Sequence, residues 1–191
     1  MCESYPDLQS LASKLVDVYC MLAVDQKLES DQDISFSSLP KSNRLNTTRD
    51  FIKWVSRIAL AASDAPLLSN ARDVFLEAQD CFMALLPKAK SRFDVGQSIG
   101  AKLGMTKDKV DFFCLNYKPK IHLSALSMTV GRVTLNRKSQ ANIQLCQPKT
   151  RFAHTRHALL LLERVAVCAR HNEPVLLVGE TGTGTFTIKS E

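Results

Sequence analysis

Apolar residues recur along most of this chain at steps of three and four, the spacing of one helix face. From Asp7 to Leu28 the stripe is Leu8, Leu11, Leu15, Tyr19 and Leu22, which predicts a first helix. A polar stretch rich in Ser and Asp, Glu29 to Asn46 with Pro40, reads as a loop. Thr47-Thr-Arg-Asp50 then has the form of a helix start, a threonine cap with an acid three residues later. Phe51, Trp54, Val55, Ile58 and Ala62 continue that helix to about Ser63. Pro66 separates it from a third, Ser69 to Leu86, whose inward residues are Ala71, Val74, Phe75, Ala78, Phe82 and Leu85, with Pro87 as its stop. Phe93 to Leu103 predicts a shorter helix closed by Gly104, and Thr106 caps another with Val110 and Phe113 inward.

After Pro119 the period shortens. Ser127-Met-Thr-Val-Gly-Arg-Val-Thr-Leu135 is β-branched and nearly alternating around a glycine, so a bulged strand or a short hairpin is expected. Asn136 to Thr150 is polar and reads as a linker. Thr155 caps a long helix, Arg156 to Arg170, with Leu159, Leu162, Val165, Ala166 and Ala169 inward. His171-Asn-Glu-Pro174 turns the chain into an apolar strand, Val175 to Val178. The pattern divides at residues 1–126, 127–150 and 151–191.

The last strand runs into Gly179-Glu-Thr-Gly-Thr-Gly184, the glycine frame of a phosphate-binding P-loop. In such a loop Gly179, Glu180, Thr181, Gly182, Thr183, Gly184 and the next residue turn backbone N–H groups toward phosphate oxygens, in conformations that a Cβ obstructs. Lysine should follow Gly184, to bring positive charge to the phosphates, and then a hydroxyl for Mg²⁺. Here Thr185 follows, and the chain ends at Glu191. The cradle is present and the charge is missing, so nucleotide chemistry is not expected of this loop. Lys189 is too far along to replace the lysine.

Composition adds little to this picture. With 45% hydrophobic and 23% charged residues among 191, the chain is ordinary globular material, long enough for a real core. Its net charge of +6 comes from scattered Lys and Arg, which suits a solvated surface better than a nucleic-acid reader. The six cysteines are widely spaced and form no C-x-x-C pair, as expected of reduced thiols rather than zinc ligands or disulfides. Met1-Cys-Glu-Ser-Tyr-Pro6 shows no secretory signal, and no apolar run is long enough to span a membrane. His154 and His157 lack cysteine or carboxylate neighbours for a metal site, and Trp54 sits at core spacing. No catalytic residue is assigned.

Two runs carry a resemblance, Leu162-Glu-Arg-Val-Ala-Val-Cys168 and Asn172-Glu-Pro-Val-Leu-Leu-Val-Gly-Glu-Thr-Gly-Thr-Gly184. They resemble the opening of one AAA+ module of the midasin family, very large dynein-related ATPases of ribosome assembly. Upstream, Leu45-Asn-Thr-Thr-Arg-Asp-Phe-Ile-Lys-Trp54 is similar to the helical lid of a preceding module, and Asp111 to Pro119 and Val130 to Leu135 have similar text. The resemblance covers Thr47 to Gly184, and it departs where the family continues with Lys-Thr. It implies a mainly α chain: a helical AAA+ lid bundle, a short β element, and the incomplete helix–strand–P-loop opening of an α/β module. Arg49 would then be the lid's sensor arginine, forking onto a γ-phosphate. The alternative for Arg49 is an exposed arginine paired with Asp50 or Asp73.

For the family, the resemblance implies ATP with Mg²⁺ as cofactor and hydrolysis that releases assembly factors from pre-ribosomal large-subunit particles in the nucleus. Partners would be neighbouring AAA+ modules of the same protein, those particles and their factors. The rival reading is a non-catalytic helical interaction fragment. A self-sufficient P-loop kinase or GTPase is not expected, because only six residues follow Thr185.

Overall fold

The computed structural model describes residues 8–31, 46–64, 71–84, 86, 88–136 and 154–177. They fall into two compact units, residues 1–116 and 117–191. The first is helical and the second combines a three-stranded sheet with one helix, in agreement with the fold class expected from the sequence. The division falls ahead of residue 126, because residues 117–126 belong with the strands.

Helix α1 spans Ala12–Asp31, entered through a turn in which Leu11 N–H donates to the Leu8 carbonyl. Leu8, Leu15, Val18 and Leu22 are buried, with Leu11 and Tyr19 packed at the edge. Helix α2 is Thr48–Asp64. Its start is a capping box: the Asp50 carboxylate accepts from the Thr47 backbone N–H and from the Thr47 hydroxyl, each at 2.9 Å. Phe51, Trp54, Val55 and Ile58 are buried on its inner face.

Trp54 is fully buried and is the centre of the helical core. Its indole N–H donates to the Val74 carbonyl at 3.0 Å, so the polar end of the ring is satisfied inside. Phe82 meets the indole edge-on at 5.3 Å, and Phe51 bridges the indole to Tyr19, on which it stacks at 4.8 Å. Fully burying a side chain of this class contributes about 1.5–3 kcal/mol.

Helix α3, Ala71–Ala78, runs into a π-helical turn, Gln79–Met83, where one continuous helix to Leu86 was expected. Phe82 and Met83, seven and eight residues beyond Phe75, are both buried at this turn. Cys81 lies half-buried on this turn, and burial pushes its thiol up to about 12, so the reactive thiolate is suppressed. Helix α4 is Ala89–Lys102 and ends in a Schellman motif. Gly104 adopts φ 76°, its N–H donates to Ala101, and Met105 N–H reaches back to Gly100 at 2.9 Å. A short helix α5, Lys107–Asp111, continues as a second π-helical turn, Phe112–Asn116. Thr106 stands at its N-cap position without a side-chain capping bond.

In the second unit, β1 (Ile121–Leu123), β2 (Ser127–Val130) and β3 (Val133–Asn136) form an antiparallel sheet in that order. The pattern of residues 127–135 therefore resolves as a hairpin, and β1 is an addition that three residues behind Pro119 did not signal. Helix α6, Arg156–Arg170, has the expected bounds, and the Thr155 hydroxyl accepts from Ala158 N–H at 3.2 Å. Its buried face is Leu159, Leu162, Glu163, Ala166 and Val167. Ala169, expected inward, is exposed. The buried row follows steps of three and four to Val167, and a residue two positions on lies round the helix from it. The predicted linker, residues 137–150, is outside the described residues.

Gly100 tests the packing of the first unit. A Cβ there would overlap Cγ2 of fully buried Val110, a β-branched side chain with little freedom to move. Alanine is the better helix former by about 1 kcal/mol, yet overpacking costs about 1–3 kcal/mol. Gly100→Ala should therefore lower the denaturation midpoint of the helical unit. A raised midpoint would show that α4 and α5 are not held this closely.

Candidate functional site

Arg49 is the one sequence-predicted site residue within the described structure. It is the second residue of α2 and is exposed. The capping box on either side of it fixes the backbone that carries it. The acids offered as its alternative partners have other engagements: Asp50 accepts from Thr47, and Asp73 lies 3.4 Å from Arg72 Nε. A guanidinium presented from the first turn of a capped helix can fork onto a phosphate or a carboxylate.

The glycine-frame residues Gly179, Glu180, Thr181, Gly182, Thr183 and Gly184, with Thr185, lie outside the described residues. Their approach is described as far as Leu177. Helix α6 closes in a second Schellman motif, built on Asn172 in place of glycine. Asn172 adopts φ 52°, its N–H donates to Ala169, and Glu173 N–H donates to Cys168 at 2.9 Å. Asparagine tolerates this left-handed backbone better than most residues. Pro174 follows, which cannot prolong the helix. Val175 to Leu177, expected as the first part of a strand, form none: no strand among the described residues pairs with them. Leu177 packs against the hairpin core, while Val175 and Leu176 are exposed.

The second unit also holds a polar cluster that its sequence pattern did not announce. Glu163 is only 1% exposed, in the middle of the apolar face of α6. Its Oε1 accepts from the Tyr117 hydroxyl at 2.8 Å and from the Arg132 backbone N–H at 2.9 Å. Its Oε2 lies 3.0 Å from Arg132 Nη1 in an ion pair buried at both ends. The turn that presents Arg132 is Gly131-Arg132, between the paired residues Val130 and Val133. Gly131 has φ 57° and Arg132 does not share that sign, the pattern of a type II′ hairpin. A Cβ on Gly131 would overlap Glu163 Oε1, so glycine is required here by both backbone and space. Tyr117 is anchored a second time, its carbonyl accepting from Arg156 Nε at 3.0 Å. The cluster orients elements and exposes no reactive group. Among the described residues no three His, Cys, Asp or Glu side chains gather as a metal ion would need, and His154 and His157 are exposed.

With these features in place, comparison with known proteins is informative. The family profile of the midasin AAA lid domain matches residues 1–106, most of the helical unit. Midasin of Dictyostelium discoideum is 32% identical over 174 residues, an overlap that takes in 77% of this chain and 3% of that protein. The chain thus spans a small part of the relative's length. No solved structure matches.

The Glu163 cluster yields a stability prediction. Removing one partner of a buried pair leaves an uncompensated charge, at about 3–5 kcal/mol. Glu163→Gln keeps an acceptor for Tyr117 but turns an amide N–H₂ or a neutral oxygen toward the Arg132 guanidinium. Denaturant unfolding followed by amide exchange in α6 should show a loss of about that size, while Arg132→Met with Glu163→Leu should recover most of it. A loss below about 1 kcal/mol for Glu163→Gln would mean that the carboxylate is not buried as described.

Proposed function

The chain belongs to the midasin AAA lid family, and from that premise we propose that it acts as the lid of one AAA+ module joined to the opening of the next. The whole protein would bind and hydrolyse ATP, and would use that energy to release assembly factors from nuclear pre-ribosomal large-subunit particles. The observation that carries this reading is the order of the two units. A helical bundle matched by the lid profile is followed along the chain by a hairpin, a capped helix that ends at Asn172 and Pro174, and then the glycine frame of the sequence. Neighbouring AAA+ modules would be the first partners of both units.

Within this reading Arg49 is the lid's contact to the γ-phosphate of ATP. Its exposure and its fixed backbone support that role. A guanidinium supplies paired N–H donors in a plane that matches two phosphate oxygens. ATP and Mg²⁺ fit the glycine frame of the second unit poorly. Thr185 stands where the lysine charge is needed, and no step is assigned to nucleotide there. Thr185 favours a second reading for this unit, a non-catalytic helical interaction element.

Two measurements test the assignment. A lysine about 4 Å from a phosphate oxygen is worth roughly 4 kcal/mol at an effective dielectric near 20, which is nearly three decades of affinity. Calorimetry on the chain carrying Thr185 should therefore detect no Mg-ATP binding at micromolar concentrations, and micromolar affinity would overturn the account of this loop. For Arg49, hydrogen bonds to a charged group are worth about 1.5–3 kcal/mol. Arg49→Ala in a full-length protein containing this segment should lower ATPase kcat/KM by about 10- to 150-fold. Unchanged turnover would remove Arg49 from the site and leave it a solvated helix-start arginine.

A further inference from the structure

Helix α2 carries apolar side chains on two faces. Phe51, Trp54, Val55 and Ile58 fill the core from the inner one. A surface helix ordinarily turns polar residues the other way. Here Ile52 is 51% exposed and Leu60 is 42% exposed. Arg49, Ile52, Ser56 and Leu60 follow one another at steps of three, four and four, so they share the outer face. With about 3.6 residues per turn they occupy roughly a quarter of the helix circumference. Lys53 is exposed at the edge of this stripe. Asp50, the one acid of α2 before Asp64, is buried and accepts from Thr47. The stripe is therefore apolar toward its C-terminal end and basic at its start.

We propose that this outer stripe of α2 is the face by which the lid docks on the nucleotide-holding domain of its own module. The proposal rests on the reading of Arg49 given above. With the Arg49 guanidinium on the γ-phosphate, the residues in line behind it run along the domain that holds the nucleotide. At about 1.5 Å per residue, Ile52 lies about 4.5 Å and Leu60 about 16 Å further along the axis. The partner surface is defined by that chemistry. It is an apolar strip of roughly this length, with the triphosphate at one end and a carboxylate placed to meet Lys53.

Area selects this occupant over a second copy of the chain or a free protein. A stable interface between separate molecules takes about 800 Å² from each partner. Ile52 and Leu60, each about half exposed, offer a fraction of that. A domain tethered to the lid needs less, because a linker supplies an effective concentration of about millimolar. A stripe this narrow suits a contact that opens and closes within one polypeptide.

The test uses a full-length protein containing this segment, with a benzophenone side chain placed at position 60. With Mg-ATP present, light should join position 60 to the nucleotide-holding domain of the same module. The same probe at position 16 of α1, where Val16 is 47% exposed, should join there several-fold less. Ile52→Asp with Leu60→Asp should lower ATPase kcat/KM roughly tenfold or more, by shifting the lid from the nucleotide. Ile52→Val with Leu60→Met should retain it. The 191-residue chain should keep its melting midpoint with the Asp pair, because both positions are exposed. A lowered midpoint would show that the stripe is packed within the lid and would overturn the proposal. Cross-links from position 60 into another module, equal yields from both positions, or no cross-link would overturn it as well. Failure of the Arg49 reading is seen separately. Unchanged turnover in Arg49→Ala, with the cross-link from position 60 intact, removes the phosphate contact and keeps the docking face. Lost turnover in Arg49→Ala, with full activity in the Asp pair, keeps the phosphate contact and removes the docking face.

Discussion

A carboxylate cannot be taken out of water on the apolar face of a helix unless cations and donors meet both of its oxygens, and Glu163 sets that demand for the second unit. Meeting it determines much of what surrounds it. Arg132 must bring both its guanidinium and its backbone N–H to the same carboxylate, which only a tight turn between β2 and β3 can do. The turn must then come so close that its first residue has no room for a Cβ, and Gly131 follows. Tyr117 supplies the last donor, and its carbonyl is held in turn by Arg156 at the other end of the helix's first two turns. Hydrophobic contacts between Val130, Val133, Leu162 and Val167 would let the hairpin slide on α6, because apolar burial is non-directional. The ion pair gives the contact a register.

The helical unit uses the same device in milder form. Arg57 of α2 and Glu77 of α3 pair at 3.2 Å, with both side chains nearly enclosed, and the fixed donor of Trp54 lies one turn away on the same helix. Between them these polar contacts specify how α2 lies on α3, while the rings of Tyr19, Phe51, Trp54 and Phe82 pack in one series beside them. Caps define where the elements stop. Thr47 with Asp50 and Thr155 settle two helix starts, and Gly104 and Asn172 settle two ends by turning the backbone left-handed.

What could be read in the sequence follows from these physical differences. Helix faces were legible because apolar periodicity is local, and α6 has the bounds that Thr155 and the turn at Asn172 imply. The family resemblance was carried by Leu162 to Cys168 and Asn172 to Gly184, and the lid profile supports its upstream part. Buried charges were not legible. Glu163, Arg57 and Glu77 lie among apolar residues with nothing nearby to mark them as paired, because their partners are distant in sequence. The available signal was position: each occupies a step on its helix where the stripe calls for an apolar residue. The π-helical turns escaped for a related reason. One extra residue per turn leaves no mark in a three- and four-residue apolar period, and no local preference signals it. Arg49 is where the sequence places it, at a capped helix start, whereas the glycine frame lies beyond the described residues.

Charge shows most clearly why the level of description matters. Summed over the chain, basic residues look like an ordinary solvated excess. Three acids matter more for where they sit than for their number. Glu77 and Glu163 are spent inside, each on one arginine, and Asp50 closes a helix end. Ion pairs of this kind remove equal numbers of both signs from the surface, so they leave each unit's net charge unchanged. They matter most to a unit with few acids, because enclosing one of four glutamates removes a quarter of its negative groups from contact with solvent. The residue that gives the hairpin its register on α6 is thereby withdrawn, together with Arg132, from the charges this unit offers to solvent. A single buried carboxylate thus links the packing of this unit to the field it presents to its surroundings.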